Sequence, residues 1–251
     1  MILQVTKIYL LETFRNVGVL FGNLLPTFIF LGISFMLTKQ SSIDTKTLDY
    51  MIKGQFISFS VLMAIFSFSF SGATIYLSDK RSEKVFEWLT KTDLTFIKYF
   101  IGLGLGVFVI LNIFLTITLY LYSVIIPIEA IELVKIIIIS NFTLLCLYPL
   151  SYIVSSVFRN GKTANSMLIP IMLILMFSVT MTNLFVSIAG NDPQDYYKYL
   201  VWNPMLFLND TIQYNLGLSN EPWLPMYQYL VILLGLFVLL YFFAKRLFKI
   251  Q

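Results

Sequence analysis

The groups that usually carry enzymatic or metal chemistry are scarce in this sequence. It has no histidine, a single cysteine (Cys146) within an apolar block, and 13 carboxylates, none near the middle of a hydrophobic run. A metal site of the usual His or Cys kind, a disulfide framework and a histidine triad or dyad are thereby excluded. Acid–base chemistry inside a membrane would need a carboxylate in an apolar block, so no catalytic residue is expected and the chain does not read as an enzyme. Two nucleotide-like patterns also fail. Gly161-Lys162-Thr163 has the ending of a P-loop, but Ser156 stands where its first glycine is required, and a P-loop joins a strand to a helix in a soluble sheet. Gly102, Gly104 and Gly106 lack the further glycine of a dinucleotide fingerprint. The chain is expected to bind no nucleotide, no cofactor and no nucleic acid of its own.

What remains is the chemistry of recognition. Between Ser82 and Lys91, helical spacing gathers Val85, Trp88 and Leu89 on one face, with Phe86 at its edge, and Lys84, Glu87 and Lys91 on the other. Glu87 precedes Lys91 by four residues, the favourable order for an ion pair. Such a helix either rests on the membrane or docks, apolar side first, into a groove of a partner. Ser60, Ser67 and Ser71 share a helical face in a run where serine alternates with phenylalanine, and Asn112 and Asn183 stand in later apolar blocks. These five are candidates for lining a path, although small and weakly polar residues are also what helix packing in lipid requires. Gly18 and Gly22 have the spacing that permits close helix contact.

Two further segments have an interfacial character. Residues 1–16 mix Lys7, Glu12 and Arg15 with Val5, Ile8 and Phe14; they form a helix lying along the membrane surface or a frayed terminus. Residues 190–226 are rich in proline, tyrosine and tryptophan, and the stretch from Asn203 and Pro204 through Phe207 is apolar enough to dip back toward the bilayer. Tyrosine and tryptophan favour that boundary, which predicts short half-buried helices; a plain exposed loop is the alternative.

The elements that hold these segments follow from composition. Of 251 residues, 58% are hydrophobic and 12% charged, about half the ~25% charged content of a soluble domain. Mean hydropathy is +0.84. The apolar residues form blocks long enough to cross a bilayer, predicting an all-α integral membrane protein, one domain over 1–251. Its six transmembrane helices are expected at 17–37, 55–77, 99–126, 136–158, 166–189 and 227–244. The first apolar block follows Lys7, Glu12 and Arg15 without a small-residue cleavage site, so it reads as an uncleaved span.

Loop charges set the orientation. One side holds twelve Lys/Arg, including Lys7, Arg15, Lys80, Arg81, Lys84 and Lys249. The other holds five: Lys39, Lys46, Lys53, Lys135 and Lys198. Both termini and the 78–98 loop are therefore cytoplasmic by the positive-inside rule. The external face carries eight acids, Asp44, Asp49, Glu129, Glu132, Asp192, Asp195, Asp210 and Glu221, and a net charge of −3. That face either attracts cationic cargo or only reflects how readily acids are translocated.

An ion-driven carrier normally keeps an ionisable group near the bilayer midplane, and the expected spans have none. Uphill transport would need an outside source of energy. On three segments in order, the chain resembles the membrane subunit of type-2 ATP-binding-cassette exporters, those for drugs, peptides and polysaccharides. They are the N-terminal segment running through Arg15-Asn16 to Pro26, the run Glu83-Lys84-Val85-Phe86-Glu87-Trp88-Leu89 followed by Asp93-Leu94-Thr95, and Asn203-Pro204 before the last span. Asp93 departs from the pattern, which often has proline there.

The resemblance implies an interfacial connecting helix, a cytoplasmic coupling helix at 83–89 seated in an ATPase subunit, and external re-entrant helices. It further implies two cytoplasmic ATP-binding subunits carrying the ATP and magnesium, a second six-span subunit, identical or homologous, and a location in the cell membrane, bacterial and cytoplasmic. The uncharged, phenylalanine-rich spans suit a hydrophobic or amphipathic cargo; they look like those of exporters of amphipathic peptide toxins such as phenol-soluble modulins, with antimicrobial peptides or drugs as other cargoes. The alternative from another class is a membrane immunity or scaffold protein that binds a peptide or lipid and transports nothing.

Overall fold

A computed structural model describes residues 1–39, 48, 50–89 and 91–247; Asp44, Lys46, Asp49 and Lys249 lie outside them. Helix α1 (Ile2–Arg15) leads through Asn16 into α2 (Val17–Thr38). Then come α3 (Tyr50–Ser82), the short α4 (Val85–Leu89), α5 (Phe96–Ile125), α6 (Ala130–Ser155) and α7 (Gly161–Ile188). A 3-10 turn α8 (Pro193–Tyr199), α9 (Pro204–Asn215) and α10 (Met226–Leu247) complete the chain. Six of these, α2, α3, α5, α6, α7 and α10, are long and apolar enough to span a membrane.

The observed helices run past the expected spans at most ends. The second span extends to Tyr50 and Ser82, and the fourth and fifth begin at Ala130 and Gly161. Hydropathy registers only the part of a helix in hydrocarbon, whereas the helix continues until a cap ends it. Glu129 and Glu132 form a reciprocal capping box on α6, Thr95 accepts from the Lys98 N–H on α5, and Asn160 accepts from the Thr163 N–H on α7.

Helix α3 is the centre of the bundle: 78% of its apolar window is buried, against 17% for α2 and 11% for α10. It is not a uniform α-helix. Tyr50–Phe56 and Phe66–Gly72 are π turns, and α7 has another at Leu173–Phe177, after Pro170. A wide i→i+5 turn shifts the phase of every side chain beyond it. Because α3 is central, all of Phe66–Ser71 is buried, serines and phenylalanines alike. Helix α6 packs on α10, α9 and α3.

The glycines of the third span are contact points. A Cβ on Gly102 would lie 2.8 Å from the Ile2 carbonyl and from Val5 Cβ, and one on Gly104 would lie 2.9 Å from the Tyr148 ring. At Gly106 it would lie 2.5 Å from the Tyr9 ring. Thr6 Oγ1 adds a 2.7 Å hydrogen bond to the Gly102 carbonyl. Helix α1 therefore lies along α5, while Leu3, Ile8, Leu11 and Phe14 remain exposed on its far side. Such a face suits a membrane surface, with Lys7 and Arg15 also exposed. Around Gly18 and Gly22 there is open space within this chain. Gly106→Val is expected to dislodge α1 and destabilise the protein by about 1–3 kcal/mol, the usual range for overpacking. Thermal melting of the detergent-solubilised protein, compared with Gly18→Val as an open-site control, checks it.

Candidate functional site

The cytoplasmic site begins where α3 leaves the membrane. Glu83 and Lys84 turn the chain, and Lys84 adopts a φ of +56°, uncommon for a residue with a side chain. Helix α4 follows for five residues. Phe86, expected at the edge of the apolar face, is instead its buried anchor, with its ring edge-on to Tyr99 at 5.4 Å. Val85 and Leu89 are half-buried beside it, and Glu87 is exposed. Trp88 points outward, 68% exposed, and Lys91 lies 4.9 Å over its ring. Helix α4 ends at Leu89, so Glu87 and Lys91 do not lie within one helix. An indole with a cation over its ring is thus presented at the surface, with a buried phenylalanine behind it.

This loop is tied to both of its neighbours. Lys80 donates to Glu12 on α1 at 3.1 Å and to Glu83 at 3.5 Å. Arg81 Nη1 donates to the Ser155 carbonyl at the end of α6. Asp79 Oδ1 accepts from the Gly161 N–H at 2.8 Å, which places a carboxylate at the positive end of α7. The carboxylate lies so close that any Cβ at position 161 would collide with it. Sequence reasoning noticed Gly161 only as a false P-loop and passed over Asp79. The available signal was an acid between a span end and Lys80-Arg81.

The candidate path residues have different surroundings. Ser60 Oγ meets the Tyr122 hydroxyl at 2.7 Å and donates to the Thr27 carbonyl at 3.3 Å, joining α3 to α5 and α2. Asn112 and Asn141 exchange two side-chain bonds at 2.8 and 2.9 Å between α5 and α6. Ser67 and Ser71 are buried in the π turn. Asn183 lines a cavity of about 530 Å³ at the external ends of α3 and α7.

On the external side, Asn203 opens α9. Its Oδ1 accepts from the Met205 N–H at 3.0 Å, and its Nδ2 donates to the Leu175 carbonyl at 2.5 Å and to Ser178 Oγ at 3.1 Å. Pro204 occupies the first helical position, where its missing N–H is no loss. Phe207 is fully buried, 5.2 Å from the Tyr229 ring. The half-buried helix expected here is buried in protein along most of its length. Asp210, counted above among the eight external acids, is only 1% exposed. It accepts from the Tyr229 hydroxyl at 2.5 Å, the Trp223 N–H at 3.2 Å and Gln194 Nε2 at 3.4 Å. Burial raises its pKa above the usual 3.8, and these three donors pull it back only in part.

A family model described as ABC-2 family transporter protein matches residues 38–244, most of the chain. No curated protein matches it.

Two outcomes are expected. Gly161→Ala removes the Asp79 cap, with a loss of about 0.5–2 kcal/mol, the usual value of a cap, read as a lower melting temperature. For Asp210 the native state holds its proton to higher pH than the unfolded chain does. Its contribution to stability is therefore full below the unfolded value and is lost as pH rises through the raised one. As pH rises above the usual carboxylate value the wild type should lose more stability than Asp210→Asn, as paired melting curves would show.

Proposed function

Because the chain belongs to the ABC-2 family of transporter proteins, we propose that it exports a hydrophobic or amphipathic cargo, with amphipathic peptides the leading class, driven by a separate ATPase docked on α4. The chain is a membrane-embedded transporter subunit, and that family works with an ATP-binding partner. On our reading there are two such partners, which bind the ATP and magnesium, and two six-span subunits form the path between them. The chain itself supplies no catalytic residue.

The observation that carries the reading is the form of α4. Phe86 fixes it from inside, Trp88 and Glu87 are presented outward, and Asp79 and Arg81 link the preceding helix end to α7 and to the end of α6. A push on α4 would thus reach three spans through short polar contacts rather than through a loose loop. Docking by an exposed aromatic is the kind of contact that dominates interface energies. Glu83, Lys84, Val85 and Leu89 complete the proposed docking surface, and the amphipathic α1 would hold the bundle at the membrane surface as the ATPase moves.

Replacing Glu87 and Trp88 together by alanine should leave the spans folded, since both side chains are exposed. It should weaken ATPase capture by a factor of about 30 or more, the weight of one interface anchor, and uncouple ATP hydrolysis from export. Unchanged co-purification of the ATPase and unchanged transport would count against this assignment.

A further inference from the structure

The external cavity has a chemistry that the coupling reading does not use. Three carboxylic acids line it: Asp192 and Glu221 at the exposed rim and Asp210 in the buried wall. None of its lining residues among those described is a lysine or arginine. Two further acceptors in it are unsatisfied. Asn183 is 9% exposed and its Oδ1 has no hydrogen-bond partner; Ser219 Oγ has none either. A buried amide oxygen without a donor is costly, and here it stands in the wall of a space large enough for a small molecule. Asp210 is held by three donors, which leaves one of the roughly four acceptor positions of a carboxylate open. Tyr50 and Tyr197 also line it.

These groups select among ligand classes. An anion would meet three acids and no base. A metal ion needs its donors gathered, and among the described residues no three of His, Cys, Asp and Glu come together to hold one. A neutral apolar molecule would leave the Asn183 and Ser219 oxygens orphaned. A primary ammonium supplies three donors on a positive charge, and about 530 Å³ leaves room for the chain that carries it.

We propose that this cavity is a binding site for an organic primary ammonium group, with Asn183 Oδ1 as its deep acceptor and the three carboxylates as its counter-charge. The site is a property of this chain alone. That it meets the amine of an outgoing cargo is the one part that rests on the export reading.

The test uses the full chain in nanodiscs of zwitterionic lipid, titrated calorimetrically with hexylammonium, hexanol or hexanoate, with empty nanodiscs subtracted. Hexylammonium should bind saturably, and hexanol and hexanoate at least about tenfold more weakly, the discrimination expected of one satisfied charge pair. The rim variant Asp192→Asn/Glu221→Gln should weaken hexylammonium by a similar factor, and Asn183→Ala, checked for an unchanged melting temperature, should weaken it independently. Equal binding of hexanol and hexylammonium, no saturable binding, or full affinity in both variants would overturn the proposal. None of these results depends on an ATPase, so loss of coupling and loss of this site are separate outcomes.

Discussion

Lipid offers a peptide or hydroxyl group no hydrogen-bond partner, which favours pairing of the polar groups of the spans within the protein. With only 12% of the whole chain charged, the inventory within the spans is small and weakly polar, and it is spent on joining helices. Thr27, Ser60 and Tyr122 link α2, α3 and α5, the Asn112–Asn141 exchange links α5 to α6, and Cys146 reaches the Leu233 carbonyl on α10. Elsewhere hydroxyls bond back to their own helix, as Thr118 does to Phe114 and Thr180 to Met176. The same requirement explains α9. A helix that ends inside the outer half of a membrane protein must have its termini satisfied, and Asn203 meets that need at one end while the helix body is buried against α6.

Close approach is the other consequence. Without a hydrophobic difference between lipid and side chain, helices associate by contact and by specific bonds. The glycines of α5 admit α1 and Tyr148 at distances that a side chain would forbid. Together with Lys80, which bridges Glu12 and Glu83, this makes the surface helix, the core helix and the start of the docking turn one connected body. The pairs themselves are solvent-facing and individually weak; their value is that they set position.

The two ends of the bundle differ in kind. The cytoplasmic end is basic and presents a compact feature, the indole of Trp88. The external end is acidic and concave; among the described residues Asp210 is its one deeply buried acid, tying α9 to the loop around Trp223 and to the head of α10. A convex aromatic suits a macromolecular partner, and a polar cavity suits a small group. An asymmetry of this kind is what a subunit that takes energy on one side and meets its ligand on the other would need.

The spans and their number were legible in the sequence because hydropathy is a sum over local stretches, and no distant residue alters it. The short helix after the second span and the Asn203-Pro204 start were legible for the same reason: periodicity and cap chemistry lie within a few residues. Helix ends were less so, since Asn160 and the Glu129/Glu132 box lie outside the apolar stretch that hydropathy detects. What only the tertiary structure decided was direction and pairing. Local spacing put Phe86 at the margin, but packing on Tyr99 turned it inward. The π turns of α3, and the burial of its serines along with its phenylalanines, have no local signal either. Nothing near Asp79 in sequence announces Gly161, 82 positions away, nor does anything beside Asp210 announce that Tyr229 and Trp223 will take it out of water. Such contacts depend on where helices cross, which is settled by the shape of all of them together.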